Sequence, residues 1–204
     1  MFTASGYQLI HHGAHRSVTG SCHELRISEE CGLLIDCGIF QGKETDRELE
    51  VTFPVKHLRG LVITHVHIDH VGRLPYLIAA GFKGPIFCSL ASAHLLPTVL
   101  EDALKISFTR DKRQIEHFLQ IIKNQLHPIA YNSWHQVETS TRHSLSLRLQ
   151  PAGHIIGSAY LECRVKKHHG QQESIIFSGD LGAPYAPLLP APKPPYGADL
   201  VVLE

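Results

Sequence analysis

Six consecutive residues constrain this chain most: His65-Val66-His67-Ile68-Asp69-His70. Three imidazoles and a carboxylate follow directly on the apolar run Leu61-Val62-Ile63, with Gly72 and Pro75 close behind. The run reads as a buried strand, and the glycine and proline as punctuation after it. In an extended segment, residues two apart point the same way. His65 and His67 therefore reach toward one point, while Asp69 and His70, past the bend where a helix begins, face a second. Neutral imidazole nitrogen and carboxylate oxygen are zinc donors, and a catalytic zinc keeps one position open for water. Two such ions side by side clamp both the attacking and the leaving oxygen of a hydrolysis. The competing reading is a histidine-rich surface loop, because the chain carries 16 histidines. The strand-end position, and further candidate donors in similar settings, favour the metal.

Those further donors lie downstream. In Pro151-Ala152-Gly153-His154-Ile155-Ile156-Gly157-Ser158-Ala159, two glycines permit a tight backbone excursion from which His154 projects. Alone, His154 is an ordinary loop residue; beside the first cluster it becomes a third imidazole for one zinc. Phe177-Ser178-Gly179-Asp180-Leu181-Gly182 is another strand-to-loop junction. Asp180 is either a turn former or a carboxylate that bridges two ions, one oxygen to each. Leu33-Leu34-Ile35-Asp36-Cys37-Gly38 ends an apolar strand on Asp36. That carboxylate suits the free nitrogen of a metal-bound imidazole better than the metal itself, and a turn role before glycine is compatible with this. His11, His12, His15, His94, His117, His135, His143, His168 and His169 have no partners at ligand spacing. Of these, His12 and His15 lie nearest to a glycine-bearing loop that could approach the site.

A chain of 204 residues is long enough for one core of ordinary size. Its 43% hydrophobic content and zero formal net charge fit a globular domain and give no bulk basic signal for nucleic acid. The five cysteines contain no C-x-x-C, which argues against a disulfide framework or zinc ribbon and for reduced thiols in a cytoplasmic protein. No secretory leader and no membrane-length apolar run are visible.

Periodicity predicts strands over Tyr7–His11, Ser21–Ile27, Cys31–Cys37, Leu58–Thr64 and Pro85–Ser89, the second and third forming a hairpin around Glu29-Glu30. Helices are predicted over Val71–Ala80, closed by Gly81, over Ala91–Ile106 with a bend near Pro97, and over Arg110–Asn124. The last places Ile115, Phe118, Leu119 and Ile122 on one face, with Arg110, Lys112, Arg113 and Lys123 on a solvated one. Strands follow over Leu145–Leu149, Ala159–Val165, Ser174–Phe177 and Leu200–Leu203, with Ala183–Pro195 an ordered proline-rich loop. The order implies an α/β (α+β) fold of layered sheets flanked by helices. A chain ending one residue past an apolar strand reads as cut from something longer.

Together, Asp36, His65-x-His67-x-Asp69-His70, His154 and Asp180 resemble the metallo-β-lactamase superfamily. Val18-Thr19-Gly20-Ser21-Cys22, Asp36-Cys37-Gly38-Ile39-Phe40-Gln41-Gly42, His70-Val71-Gly72-Arg73-Leu74-Pro75 and the segments around His154 and Asp180 are similar to its β-CASP branch of RNA-processing zinc nucleases. The resemblance implies an αββα sandwich, with residues 1–204 forming the N-terminal part of the metallo-β-lactamase domain. The β-CASP insertion and the C-terminal part would be missing. It implies two zinc ions: His65, His67 and His154 for one, Asp69 and His70 for the other, Asp180 between them and Asp36 behind. It also implies a catalytic part for Asp69, Asp180 and Glu204, the last matching a glutamate that orients a proton-donating histidine.

The activity implied is ribonuclease chemistry, exo- or endonucleolytic, on single-stranded RNA. A missing half of the site would leave the second zinc weakly held. The stretch Gly13-Ala14-His15-Arg16-Ser17 departs from the pattern by placing His15-Arg16 where an acidic residue is usual. Two alternatives stand beside this reading: a thioester or lactam hydrolase on the same fold, and a catalytically incomplete metal-binding or interaction fragment. Exposed apolar edges would favour a homo-oligomer; no membrane partner is expected.

Overall fold

A computed structural model of the chain describes residues 6–15, 17–42, 49–107, 109–140, 142–167 and 172–204; Arg16, His168 and His169 lie outside them. The first sheet orders β1 (Gln8–Gly13), β2 (Cys22–Ser28), β3 (Cys31–Ile35), β4 (Leu58–Val62), β5 (Ile86–Ser89) and β6 (Leu126–Ile129) side by side. β1 to β3 run antiparallel and β3 to β6 parallel. Parallel neighbours need crossovers, and α1 (Ile68–Val71), α2 (Leu74–Ala79), α3 (Leu90–Ser107) and α4 (Lys112–Gln125) lie within them. The second sheet orders β11 (Leu200–Val202), β10 (Gln172–Phe177), β9 (Ala159–Lys167), β8 (His143–Pro151) and β7 (His135–Thr139). It is an antiparallel meander except that β11 runs parallel to β10.

Alternation along the strands explains the layers. Leu25, Ile27, Leu33, Ile35 and Val62 point from the first sheet into one core, against Leu145, Leu147, Leu149, Leu161, Cys163, Ile175 and Phe177 of the second. Leu34, Leu61, Ile63, Ile86 and Cys88 point the other way, against Val71, Leu74, Leu77, Leu96, Leu100 and Ile122 of the helices. Each such aliphatic or aromatic side chain contributes roughly 1.5–3 kcal/mol by leaving water. α4 begins where Asp111 accepts from the Arg113 amide at 2.9 Å. It buries Ile115 and Ile122, and Arg110, Lys112, Arg113 and Lys123 face solvent as expected.

Helices thus cover one face of the pair of sheets. Among the described residues no helix covers the other face, where Tyr160, Ile176, Val201 and Leu203 and the proline-rich segment Pro192–Pro195 line a hollow of about 360 Å³. Three layers of the expected four-layer sandwich are therefore present among them. No helix of the described residues is long and apolar enough to cross a membrane.

Two local features differ from the sequence expectation. The single helix expected over Val71–Ala80 is two, α1 and α2, because the Arg73 amide is taken by the Cys37 carbonyl at 2.9 Å, and Pro75 has no amide to return. β6 and β7 are additional to the expected strands. β6 contains Pro128, which is tolerable because it pairs on one side only, with β5. β7 is an edge strand with no apolar run to betray it.

Candidate metal centre

β3, β4, β8, β10 and β11 all end at the same edge of the sandwich, and each delivers a candidate residue there. Asp36 follows β3, the histidine cluster follows β4, and His154 follows β8. Asp180 follows β10 and Glu204 follows β11. The sheets are tied together at this edge, where the Ala159 amide donates to the Thr64 carbonyl at 2.8 Å.

Four donors converge with one atom each. His65 Nε2 lies 3.0 Å from His67 Nδ1, which lies 3.1 Å from His154 Nε2. Asp180 Oδ2 is 3.4 Å from His154 Nε2 and 3.8 Å from His65 Nε2. A tetrahedral ion with zinc–nitrogen bonds of 2.0–2.1 Å separates its donors by about 3.3 Å. The same atom of each residue is used in every contact, so the donor set fits one such ion. The other Asp180 oxygen, Oδ1, faces His70 Nε2 at 3.5 Å. One carboxylate therefore looks in two directions, toward the three-imidazole group and toward His70.

The protonation pattern suits this geometry. The His65 Nδ1–H faces the Thr64 hydroxyl at 3.2 Å, which leaves Nε2 with its lone pair toward the cluster. Burial and the neighbouring His70 push the His65 imidazole down to about 2, so it is neutral. His70 Nδ1 donates to Asp36 Oδ2 at 2.9 Å, turning its Nε2 toward Asp180. Burial would lower the His70 imidazole, but Asp36, Asp180 and Glu204 outweigh it and push it up to about 11. The interaction with His70 holds the Asp180 carboxyl down at about 2, against burial. Three anions around one ring call for positive charge.

Asp36 is the anchor. Its backbone adopts φ 55°, a region costly for a side chain other than glycine. Four hydrogen bonds hold it there. Its amide donates to the Val62 carbonyl at 2.9 Å; its carboxylate accepts from the Thr64 amide at 2.8 Å, the Thr64 hydroxyl at 2.7 Å and His70. Asp36, His70 and Glu204 also lie together, but Asp36 already accepts three hydrogen bonds and the His70 Nδ1–H is spent on one of them. This second group therefore orients His70 rather than forming another cation site. The next turn is as tightly placed: a methyl group on Gly38 would sit 1.4 Å from the Asp69 carbonyl oxygen, so the chain passes α1 only with glycine there.

Asp69 occupies the first turn of α1, half-buried and outside both groups of converging side chains. Glu204 reaches the site from the second sheet, where its Oε1 accepts from Ser21 Oγ at 2.5 Å and His23 Nε2 at 2.6 Å. These two contacts hold its carboxyl below the ordinary range, although burial opposes them. Its Oε2 is 3.9 Å from His70 Nδ1. His12 turns away, donating to Glu24 at 2.9 Å and stacking on Phe53, and His15 stacks on His11. Sequence reasoning missed Thr64, Ser21 and His23. Thr64 directly precedes the cluster and could have been weighed; Ser21 and His23 matter only through a contact 181 or more residues apart in sequence.

Comparison with known proteins agrees with the geometry. The family model of the metallo-β-lactamase superfamily matches residues 15–149, about two thirds of the chain. The chain is 37% identical over 200 residues to ribonuclease TTHA0252 of Thermus thermophilus, covering 97% of this chain and 43% of that protein. It is 30% identical over 182 residues to Integrator complex subunit 11 of Danio rerio, covering 82% and 28%. It is 29% identical over 184 residues to the transcription termination factor FttA of Methanothermobacter thermautotrophicus, covering 88% and 28%. The chain thus spans less than half the length of these relatives. With the fold, the donor arrangement and the match in agreement, this chain belongs to the metallo-β-lactamase superfamily, in its β-CASP branch.

Proposed function

We infer that the chain is the metal-binding portion of a zinc-dependent hydrolase that cleaves phosphodiester bonds in single-stranded RNA. The convergence of His65 Nε2, His67 Nδ1, His154 Nε2 and Asp180 Oδ2 carries this reading. These four atoms would hold one zinc. His70 Nε2 and Asp180 Oδ1, with Asp69 as a further donor, would hold the second. Bound there, the ions supply an activated water at neutral pH and neutralise charge on a phosphoryl group.

The chain's own residues prepare the site. The Thr64 hydroxyl takes the His65 Nδ1–H and Asp36 takes the His70 Nδ1–H, so that both Nε2 atoms face inward. Ser21 and His23 hold the Glu204 carboxylate at the rim, where it can orient a proton donor for the leaving oxygen. RNA is favoured as substrate because the relative matched over nearly the whole chain is named a ribonuclease. The apolar outer face of the second sheet is where the remainder of the domain would pack, in keeping with relatives more than twice as long.

The test is incubation of zinc-loaded protein with an end-labelled single-stranded RNA. Shortened products that vanish with a chelator and in Asp180→Ala are expected. Zinc-replete protein that leaves RNA intact but hydrolyses a small thioester or lactam would assign the site to the other chemistry. Zinc-replete protein that turns over none of these substrates would assign a binding role.

A further inference from the structure

Of the three converging imidazoles, His154 alone comes from the second sheet, on an irregular loop between β8 and β9. The segment bends sharply, with Gly153 at φ 71° and Gly157 at φ 87°. Inside it, the Ser158 hydroxyl accepts from the amides of His154 at 3.0 Å and Ile155 at 3.2 Å. Those bonds shape the turn but do not fix it to the first sheet, which supplies His65, His67 and His70.

The Ala159 amide on the Thr64 carbonyl and the Tyr131 hydroxyl on the Ser158 carbonyl at 2.9 Å hold the loop's C-terminal end, and a latch from the first sheet holds Gly157. The Gly157 carbonyl accepts two hydroxyl protons, from Ser89 at 2.7 Å and Ser92 at 2.9 Å. Ser89 is the last residue of β5, and its oxygen also accepts from the Ser92 amide at 3.1 Å. It therefore caps α3 and grips the loop with the same hydroxyl. Both serines are buried, at 1% and 0% exposure, so no water replaces a lost donor cheaply. The fit is close: a Cβ on Gly157 would meet the Ser92 amide nitrogen at 2.7 Å and the Ala91 Cβ at 3.1 Å.

We propose that Ser89 and Ser92 are positioning residues for His154: their joint hold on the Gly157 carbonyl docks the second sheet's metal-facing loop against the start of α3. The proposal rests on the metal-centre reading above and adds what sets its affinity. A side chain that ligates from a loop loses affinity when the loop wanders, and the latch removes that freedom. Neither serine touches a donor atom, and nothing in the linear sequence connects Ser89 or Ser92 with a loop 65 residues or more downstream.

The experiment uses the full chain and the metals themselves. Zinc affinity is measured by competition with a chromophoric chelator, and the site geometry by the visible absorption of bound Co²⁺. Ser89→Ala/Ser92→Ala takes both protein donors from the half-buried Gly157 carbonyl and should weaken zinc binding about 10–100-fold with an altered Co²⁺ spectrum. Ser92→Ala alone keeps the helix cap and one donor, so it stays folded; its expected loss is about fivefold. Urea unfolding of the metal-free proteins separates a purely structural effect. Folded variants with wild-type zinc affinity and an unchanged Co²⁺ spectrum, differing only in unfolding midpoint, would overturn the proposal. Wild-type protein that takes up neither ion would overturn the metal-centre reading beneath it.

Discussion

Asp36 and His70 lie 34 residues apart in sequence, and the Oδ2 of one is 2.9 Å from the Nδ1 of the other. This hydrogen bond turns the opposite face of the ring toward Asp180, 3.5 Å away, where the second cation of the proposed site would sit. Replacing Asp36 with alanine should loosen the His70 side most, because His70 loses its direct partner while His65 keeps its contact with Thr64. We expect about 10–100-fold weaker uptake of the second zinc equivalent, read as a separation of the two binding steps in a chelator titration.

Histidine is abundant here, and most copies are bystanders. His154→Ala should remove high-affinity zinc binding at the first position, because only three of its four donors remain. His94→Ala, at an exposed position on α3, should leave zinc affinity unchanged. Metal content after gel filtration with one equivalent of zinc distinguishes them.

Gly38 carries a steric demand. A methyl group there would meet the Asp69 carbonyl carbon at 2.0 Å as well as its oxygen, so strand end and α1 must part. Gly38→Ala should destabilise the fold by about 3 kcal/mol or more, measured by urea denaturation. The same substitution at Gly81, where a Cβ meets nothing within 4 Å, should cost less, from backbone strain alone at φ 96°.

Glu24 predicts an acid limb of stability. It is fully buried and receives His12 at 2.9 Å, His57 at 2.7 Å and Arg26 Nε at 2.6 Å. Burial alone would raise its carboxyl, but these partners lower it to about 2. A carboxyl depressed on folding stabilises fully above its unfolded value and loses that contribution as pH falls through the folded one. The contribution, about 3 kcal/mol, should be present above about pH 5 and fade toward pH 2. The stability gap between wild type and Glu24→Gln should therefore narrow on acidification from pH 5 to 3.

The fold and the site were legible in the sequence to different depths. The strand before the histidine cluster could be read because Leu61, Val62 and Ile63 are buried on both faces, and a short unbroken apolar run closed by turn residues fits a central strand. The hairpin turn at Glu29-Glu30 could be read because polar residues interrupt two apolar runs. β6 and β7 could not, since their pairing is decided by neighbours distant in sequence rather than by their own composition. At the site, strand-end position pointed to His65, His67, His154 and Asp180, because donors at strand tips need only the fold to meet. The tautomer-setting contacts of Thr64, and the hold of Ser21 and His23 on Glu204, are tertiary. A serine or threonine carries no signal of the partner it will find.

Donor atoms from both sheets converge on one point, where one zinc is expected, and Asp180 faces from it toward His70, where a second is expected. Anomalous diffraction at the zinc edge, from crystals grown with zinc, tests this most directly. A peak ringed by His65 Nε2, His67 Nδ1, His154 Nε2 and Asp180 Oδ2 is expected, with a second between Asp180 Oδ1 and His70 Nε2. A map without a peak among these residues, or with zinc held only elsewhere on the molecule, would contradict it.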